Sequence, residues 1–351
     1  MDNALIRGMD LRNIDTFLNR IMGGNTVSAD DLITEIMQGN MDTIKALLIQ
    51  YVRDVCIGNL TQCREIFLGI FLLGIFALLL HGLSDLFANE KITIFSNYFI
   101  FLFVSLILMK CFLRSYEQCL SFLDEMKSFC GVLMPAMCMV MGISGGPVTA
   151  AAYYELQLFF LFIVENIMAA FVMPMVQFIC VLYVLNQLPD GNRFGGMIAL
   201  MRKLVIFMTR SAIFAAVSGS LLQAGIMPAV DGVQSRVILK TVSFIPGLGD
   251  YAMAITETVL RGAVLVKNSI GIVGIFILFV MCFRPTVTTL MLGFVVRLAS
   301  AVLQISGEKK FTSHVWKMAD CFFLLSRVQL FASGMFFIAI AVATLGMNAL
   351  Y

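Results

Sequence analysis

The chain is expected to fold as an all-α, polytopic membrane helix bundle, and three observations lead there. Of its 351 residues, 60% are hydrophobic and only 13% are charged. A soluble domain is about half apolar and about a quarter charged, so these charges are too few to cover a water-facing surface. From Ile66 onward, apolar stretches of the roughly 20 residues needed to cross about 30 Å of hydrocarbon follow in quick succession. The first 64 residues break that pattern, with Asp, Asn and Arg interleaved among apolar positions at helical spacing. The expected organisation is a small polar helical region, 1–64, followed by a transmembrane bundle, 65–351.

In the polar region, Ser28 and Asp31 form a helix cap ahead of Leu32, Ile33, Ile36 and Met37, which share one face. Met41, Ile44, Leu48, Tyr51 and Val55 define the apolar stripe of a second amphipathic helix. The opening MDNALIRGMDLRNID holds no apolar run long enough for the core of a secretory signal.

About seven spans are expected beyond it, near 66–87, 93–113, 158–186, 204–227, 268–284, 286–306 and 328–348. Two apolar pieces, 129–147 and 242–264, carry Pro, Gly and charge, and are expected to be re-entrant or broken helices. Such backbone survives at membrane depth only when buried in protein or facing water. Between 113 and 128, Arg114, Glu117, Asp124, Glu125 and Lys127 oppose Leu120 and Phe122, the pattern of a helix lying along the interface. Among seven prolines, Pro135 and Pro174 stand 39 residues apart, as do Pro246 and Pro285. That offset suggests either an internal duplication around a midplane site or a coincidence.

Charge and motif content exclude several functions. A net charge of +2 with no run of Lys or Arg leaves no means of neutralising a nucleic-acid backbone. There is no GxxxxGK[ST] phosphate loop, so any energy must come from elsewhere than nucleotide hydrolysis by this chain. Without HExxH or clustered His and Cys, no metal site is expected, and no cofactor is implied. The nine cysteines contain no CxxC pair and sit mostly in apolar runs, as small buried hydrophobes.

Two motifs bear on proteolysis. Gly142, Ser144 and Gly146 satisfy GxSxG, but a serine nucleophile needs a base. The two histidines, His81 and His314, precede the serine or fall in the polar stretch GEKKFTSH. Gly247, Leu248, Gly249 and Asp250 spell the GxGD of aspartyl intramembrane proteases, yet the second acid and a later PAL sequence are missing. A turn at Pro246 and Gly247 with Asp250 capping the next helix accounts for the same residues. An intramembrane protease therefore stays the weakest reading, and no catalytic residue is assigned.

Ionisable residues at membrane depth are costly and functional by default: Glu155, Glu165, Asp250, Glu257, Lys267 and Arg297. They either pair across helices or line an aqueous path.

The polar helical start, MPAMCMVMGISGG, KTVSFIPGLGDYAMAITETVL and VKNSIGIVGIFILFVMCFRP, in this order, resemble the stage III sporulation protein AE family over nearly the whole chain. The most specific part is Lys240, Pro246 and Gly249, followed by Lys267, Asn268, Gly271 and Gly274. Members usually begin with a signal sequence, whereas this chain opens in the polar region.

The resemblance implies a subunit of the channel complex between mother cell and engulfed forespore, a machine similar in plan to specialised secretion systems. Its expected place is the mother-cell membrane around the forespore. Implied partners are the other stage III A proteins, including a separate ATPase and ring-forming subunits, and indirectly stage II sporulation protein Q. A homo-oligomer stays open. The expected role is a non-catalytic export gate or permease-like subunit, with a stand-alone secondary transporter as the alternative. The expected channel or gate residues are Gly145, Gly146, Glu165, Pro246, Gly247, Gly249, Asp250, Glu257, Lys267, Asn268 and Arg297.

Overall fold

The fold rests on a few very long helices, seen in a computed structural model. The structure describes residues 29–37, 42–87, 90–143, 151, 155–156, 159, 162–164, 166–186, 193–215, 217–218, 249–304 and 309–345. The side chains of 80–97, of 249–264 and of Lys267 lie outside that description. Among the described residues there is no strand.

A short helix α1, Ala29–Met37, is followed by α2, Asp42–Phe87, of 46 residues, and α3, Glu90–Ile143, of 54. A five-residue π turn, Met168–Val172, leads into α4, Met173–Leu185. Helix α5 covers 195–215. Helix α6, Gly249–Leu303, has 55 residues, and α7, Lys309–Leu345, has 37. At 1.5 Å per residue α3 and α6 each reach about 80 Å, more than twice the hydrocarbon thickness.

These lengths correct the expected segmentation. Four helical segments among the described residues are long and apolar enough to cross a membrane: Ile44–Phe76, Phe162–Leu185, Asn268–Leu303 and Thr312–Ala341. The described residues do not confirm seven separate spans. The expected spans 268–284 and 286–306 are one helix with Pro285 inside it, and 129–147 is, through Ile143, the continuation of α3 past Pro135. Of 242–264, the part from Gly249 is the first quarter of α6, and the rest lies outside the described residues. The amphipathic stretch 113–128 also runs on within α3, where Cys119 and Met126 are fully buried in the core.

The physical reason is that surrounding packing can carry a helix through a proline. Pro285 removes one N–H from the α6 ladder, and proline is tolerated in membrane helices when neighbours satisfy what it frees. The carbonyl that Pro285 frees is that of Met281, and the Tyr51 hydroxyl donates to its neighbour, the Val280 carbonyl, at 2.8 Å. The Thr288 and Thr289 hydroxyls reach back to the carbonyls of Arg284 and Pro285 at 2.7 and 2.9 Å. Pro174 shows the other solution: it sits in the first turn of α4, directly after the π turn.

Helices α6 and α7 form an antiparallel hairpin that makes the centre of the bundle, with α2 and α3 packed against it. At its turn the Ser300 hydroxyl donates to the Thr312 carbonyl at 2.9 Å. At its far end two glycines set the spacing. A Cβ on Gly271 would collide with the Thr344 side chain, and one on Gly274 would lie 2.8 Å from Leu133 Cδ2. Small residues allow such approach where helix association depends on close packing. Between these ends Phe112 meets Phe322 edge to face at 5.9 Å, both fully buried. Most of the nine cysteines, all free thiols, are buried in the same core.

Candidate functional site

Near the hairpin turn, Trp316, Asp320 and Phe323 stand at i, i+4 and i+7 of α7 and so present one face. Arg297 of α6 lies against all three. Its Nη2 donates to Asp320 Oδ1 at 2.8 Å, and its guanidinium carbon sits 4.3 Å over the Trp316 ring and 4.9 Å over Phe323. A flat cation stacked between aromatic faces and fixed by a carboxylate is a rigid clamp, of a kind that suits Arg better than Lys. The other Asp320 oxygen faces Arg202 of α5 at 4.0 Å.

Beside this cluster a cavity of about 450 Å³ is lined by Tyr183, Asn186, Arg202, Lys203 and Lys317, with small and aliphatic residues of α5. Asn186 shapes it: its N–H caps α4 on the Leu182 carbonyl, and its Oδ1 accepts the Phe194 N–H at 2.8 Å.

The second polar feature is a set of buried polar side chains carried by the two arms of the hairpin. Thr286 and Thr289 of α6, and Ser326, Gln329 and Ser333 of α7, are all buried. Thr289 and Ser333 satisfy themselves on backbone carbonyls one turn back. Thr286 Oγ1, Ser326 Oγ and both amide atoms of Gln329 find no hydrogen-bond partner among the described residues. Orphaned polar groups in a low-dielectric interior are the usual place for water or a ligand.

A third feature is a cavity of about 520 Å³ beside Pro285, where Arg114 and Arg284 face Glu117 and Glu125 around Tyr51. Its two cations and two carboxylates balance in charge.

Of the residues singled out from the sequence, Gly145, Gly146, Glu165, Pro246 and Gly247 lie outside the described residues, as does Ser144. Gly249, Asp250, Glu257 and Lys267 fall on α6, with side chains outside the description. Asn268 is half-buried, and its Oδ1 has no partner among the described residues. Glu155 is exposed. Arg297 is the one that the described residues pair, and its partner, Asp320, was not anticipated.

His314 also differs from expectation. It is fully buried at the start of the fourth span rather than in a polar stretch, with Nε2 bonded to Ser105 Oγ at 2.9 Å and Phe101 packed on the ring at 4.5 Å. A serine nucleophile needs access and a base oriented by a third group. Here the pair is sealed from solvent and His314 Nδ1 has no partner among the described residues. Asp320, Arg202 and Lys317 were overlooked because they flank apolar runs, where a charge reads as a span boundary. The signal available was the aromatic pair Trp316 and Phe323 bracketing Asp320 at helical spacing.

Comparison with known proteins bears on this arrangement. The chain is 27% identical over 248 residues to Stage III sporulation protein AE of Bacillus subtilis (strain 168), covering 68% of this chain and 60% of that relative. The chain thus spans about 60% of the length of the curated relative that it matches. No solved structure matches it. The profile described as Stage III sporulation protein AE matches residues 27–346, which takes in α1 through α7 and every feature described above, and the chain therefore belongs to the stage III sporulation protein AE family.

Proposed function

We propose that the chain is a membrane-embedded export gate or permease-like subunit of the stage III A channel complex between mother cell and forespore. It sits multi-pass in the mother-cell membrane surrounding the forespore and carries no catalytic activity of its own. Energy comes from a separate ATPase of the complex, while ring-forming subunits and, through them, stage II sporulation protein Q complete the conduit. Family membership supports the sporulation role, and four helices long enough to cross a bilayer support the placement in a membrane.

The observation that carries the gate reading is the polar seam formed by buried side chains of α6 and α7. Gln329 is fully buried with neither amide atom bonded among the described residues, at a depth where lipid-facing polar groups are too costly. Hydration of this seam supplies an inner polar lining, with Asn268, Lys267, Glu257 and Asp250 along the earlier turns of α6. Gly145, Gly146, Glu165, Pro246, Gly247, Gly249 and Arg297 belong with them to the proposed channel or gate.

Replacing Glu165 or Lys267 with Ala impairs complex assembly or passage, read as heat-resistant spore yield with membrane levels of the protein held equal. Wild-type yield in both variants removes those residues from the gate. A stand-alone secondary transporter draws on the same seam. Solute uptake by the purified chain in vesicles, with no other stage III A protein present, replaces the complex with that reading.

A further inference from the structure

We propose that the cavity between α4, α5 and α7 is a binding site for the phosphodiester headgroup of an anionic glycerophospholipid. This rests on the membrane placement above and adds a ligand to it. The cavity is lined by three cations, Arg202, Lys203 and Lys317, and by the hydroxyl of Tyr183 and the amide of Asn186. Among the described residues no acidic residue lines it. With Arg297 next to it, the cluster holds four cations, and the carboxylate that meets them is Asp320, bound to Arg297 at 2.8 Å and 4.0 Å from Arg202. Four positive charges against one negative leave an excess of three among the described residues. Lys203 and Lys317 have no carboxylate partner there. Positive charge at a membrane boundary attracts anionic lipid, by about 1 kcal/mol per Lys or Arg.

Position agrees with that chemistry. Tyr183 and Asn186 stand at the end of the span Phe162–Leu185, Lys317 lies near the beginning of Thr312–Ala341, and Arg297 in the last turns of Asn268–Leu303. Three spans thus end together around the cavity, at the level where headgroups lie. Trp316, the sole tryptophan, is 45% exposed at this level, as interfacial tryptophans are.

Helix α5 then distinguishes a lipid from an acidic protein segment. One face supplies Ile198, Arg202, Lys203 and Ile206 to the cavity. The adjoining face, Met197, Leu200, Leu204 and Phe207, is an exposed apolar stripe. One helix therefore offers cations to a headgroup and an unpartnered track to its acyl chains, a combination that an acidic peptide does not need. The cavity, at about 450 Å³, lies within the usual size of ligand pockets.

The full chain reconstituted in vesicles tests this through Trp316. Phosphatidylglycerol and phosphatidylcholine with brominated acyl chains are compared as quenchers, after flotation has shown that the protein is inserted. The expected result is stronger quenching by the anionic lipid, with the preference falling about fivefold in each of Lys203→Gln and Lys317→Gln and retained in Lys203→Arg. An inserted wild-type protein quenched equally by both lipids overturns the site while leaving the membrane placement intact. Protein that fails to float overturns the placement itself. Loss of the preference on adding millimolar inorganic phosphate assigns the cavity to free phosphate, and displacement of the lipid by a glutamate-rich peptide assigns it to an acidic partner. Either outcome overturns the lipid.

Discussion

Helices α2 and α6 both contain a segment apolar enough to cross a bilayer, yet they sit oppositely in the molecule. In the most apolar window of the α6 span 67% of residues are buried, against 24% in that of α2. Helix α6 buries Val273, Ile277, Leu278 and Val296 against its neighbours, whereas α2 turns Leu68, Leu72, Ile75, Phe76 and Leu79 outward. In water such a stripe would be an aggregation hazard. In lipid it costs nothing, because acyl chains are as apolar as leucine. Hydropathy therefore identifies the solvent but not the rank of a helix within the bundle. Helix α6 holds the centre because Gly271 and Gly274 let α7 and α3 come close and because the Thr288 and Thr289 hydroxyls are satisfied on its own backbone.

Truncation separates the two environments most sharply. Phe322→Ala empties a fully buried position against Phe112, and is expected to cost about 3–5 kcal/mol, read as a large fall in thermal unfolding temperature in detergent. A small effect would mean that the hairpin is not the structural centre. Asp320→Ala comes next. The side chains of Asp320 and Arg297 are 23% and 35% exposed, so the loss lies between that of surface and buried pairs, about 1–3 kcal/mol. Adding Arg297→Ala recovers part of it in a double-mutant cycle, and simple additivity of the two losses would show that the ion pair does not couple α6 to α7. Smallest is Leu72→Ala on the outward face of α2, 63% exposed, for which a change within about 0.5 kcal/mol is expected. A loss comparable to that of Phe322→Ala would place α2 inside an assembly rather than against lipid.

How far the site could be read in advance follows the same division. The helical character of the chain, its apolar spans and the amphipathic stripe of Ile44, Leu48, Tyr51 and Val55 all follow from spacing along a single segment. Breaks inferred at Pro135 and Pro285 did not, because a proline's effect depends on what stands beside it, and at Pro285 the flanking carbonyls are met by Tyr51, Thr288 and Thr289. Arg297 was legible as a costly charge, but its partner was not. Asp320 is 23 positions away, on the other arm of a hairpin whose turn no local pattern fixes. His314 was read as polar-loop material from its neighbours GEKKFTS, and only Ser105, from 209 positions earlier, explains its burial.

Composition by itself determined that the chain is apolar enough for lipid to surround much of it, since transfer free energy is a sum over residues and does not depend on their order in space. Family membership was legible in the same way, from ordered local motifs. Tertiary packing alone decided which segments fused into helices about twice the bilayer's thickness, which acid met which base, and where a basic cavity opened beside an apolar stripe. Those outcomes depend on the distance between residues far apart in the chain, and in a low-dielectric interior a few ångströms separate a satisfied charge from an intolerable one.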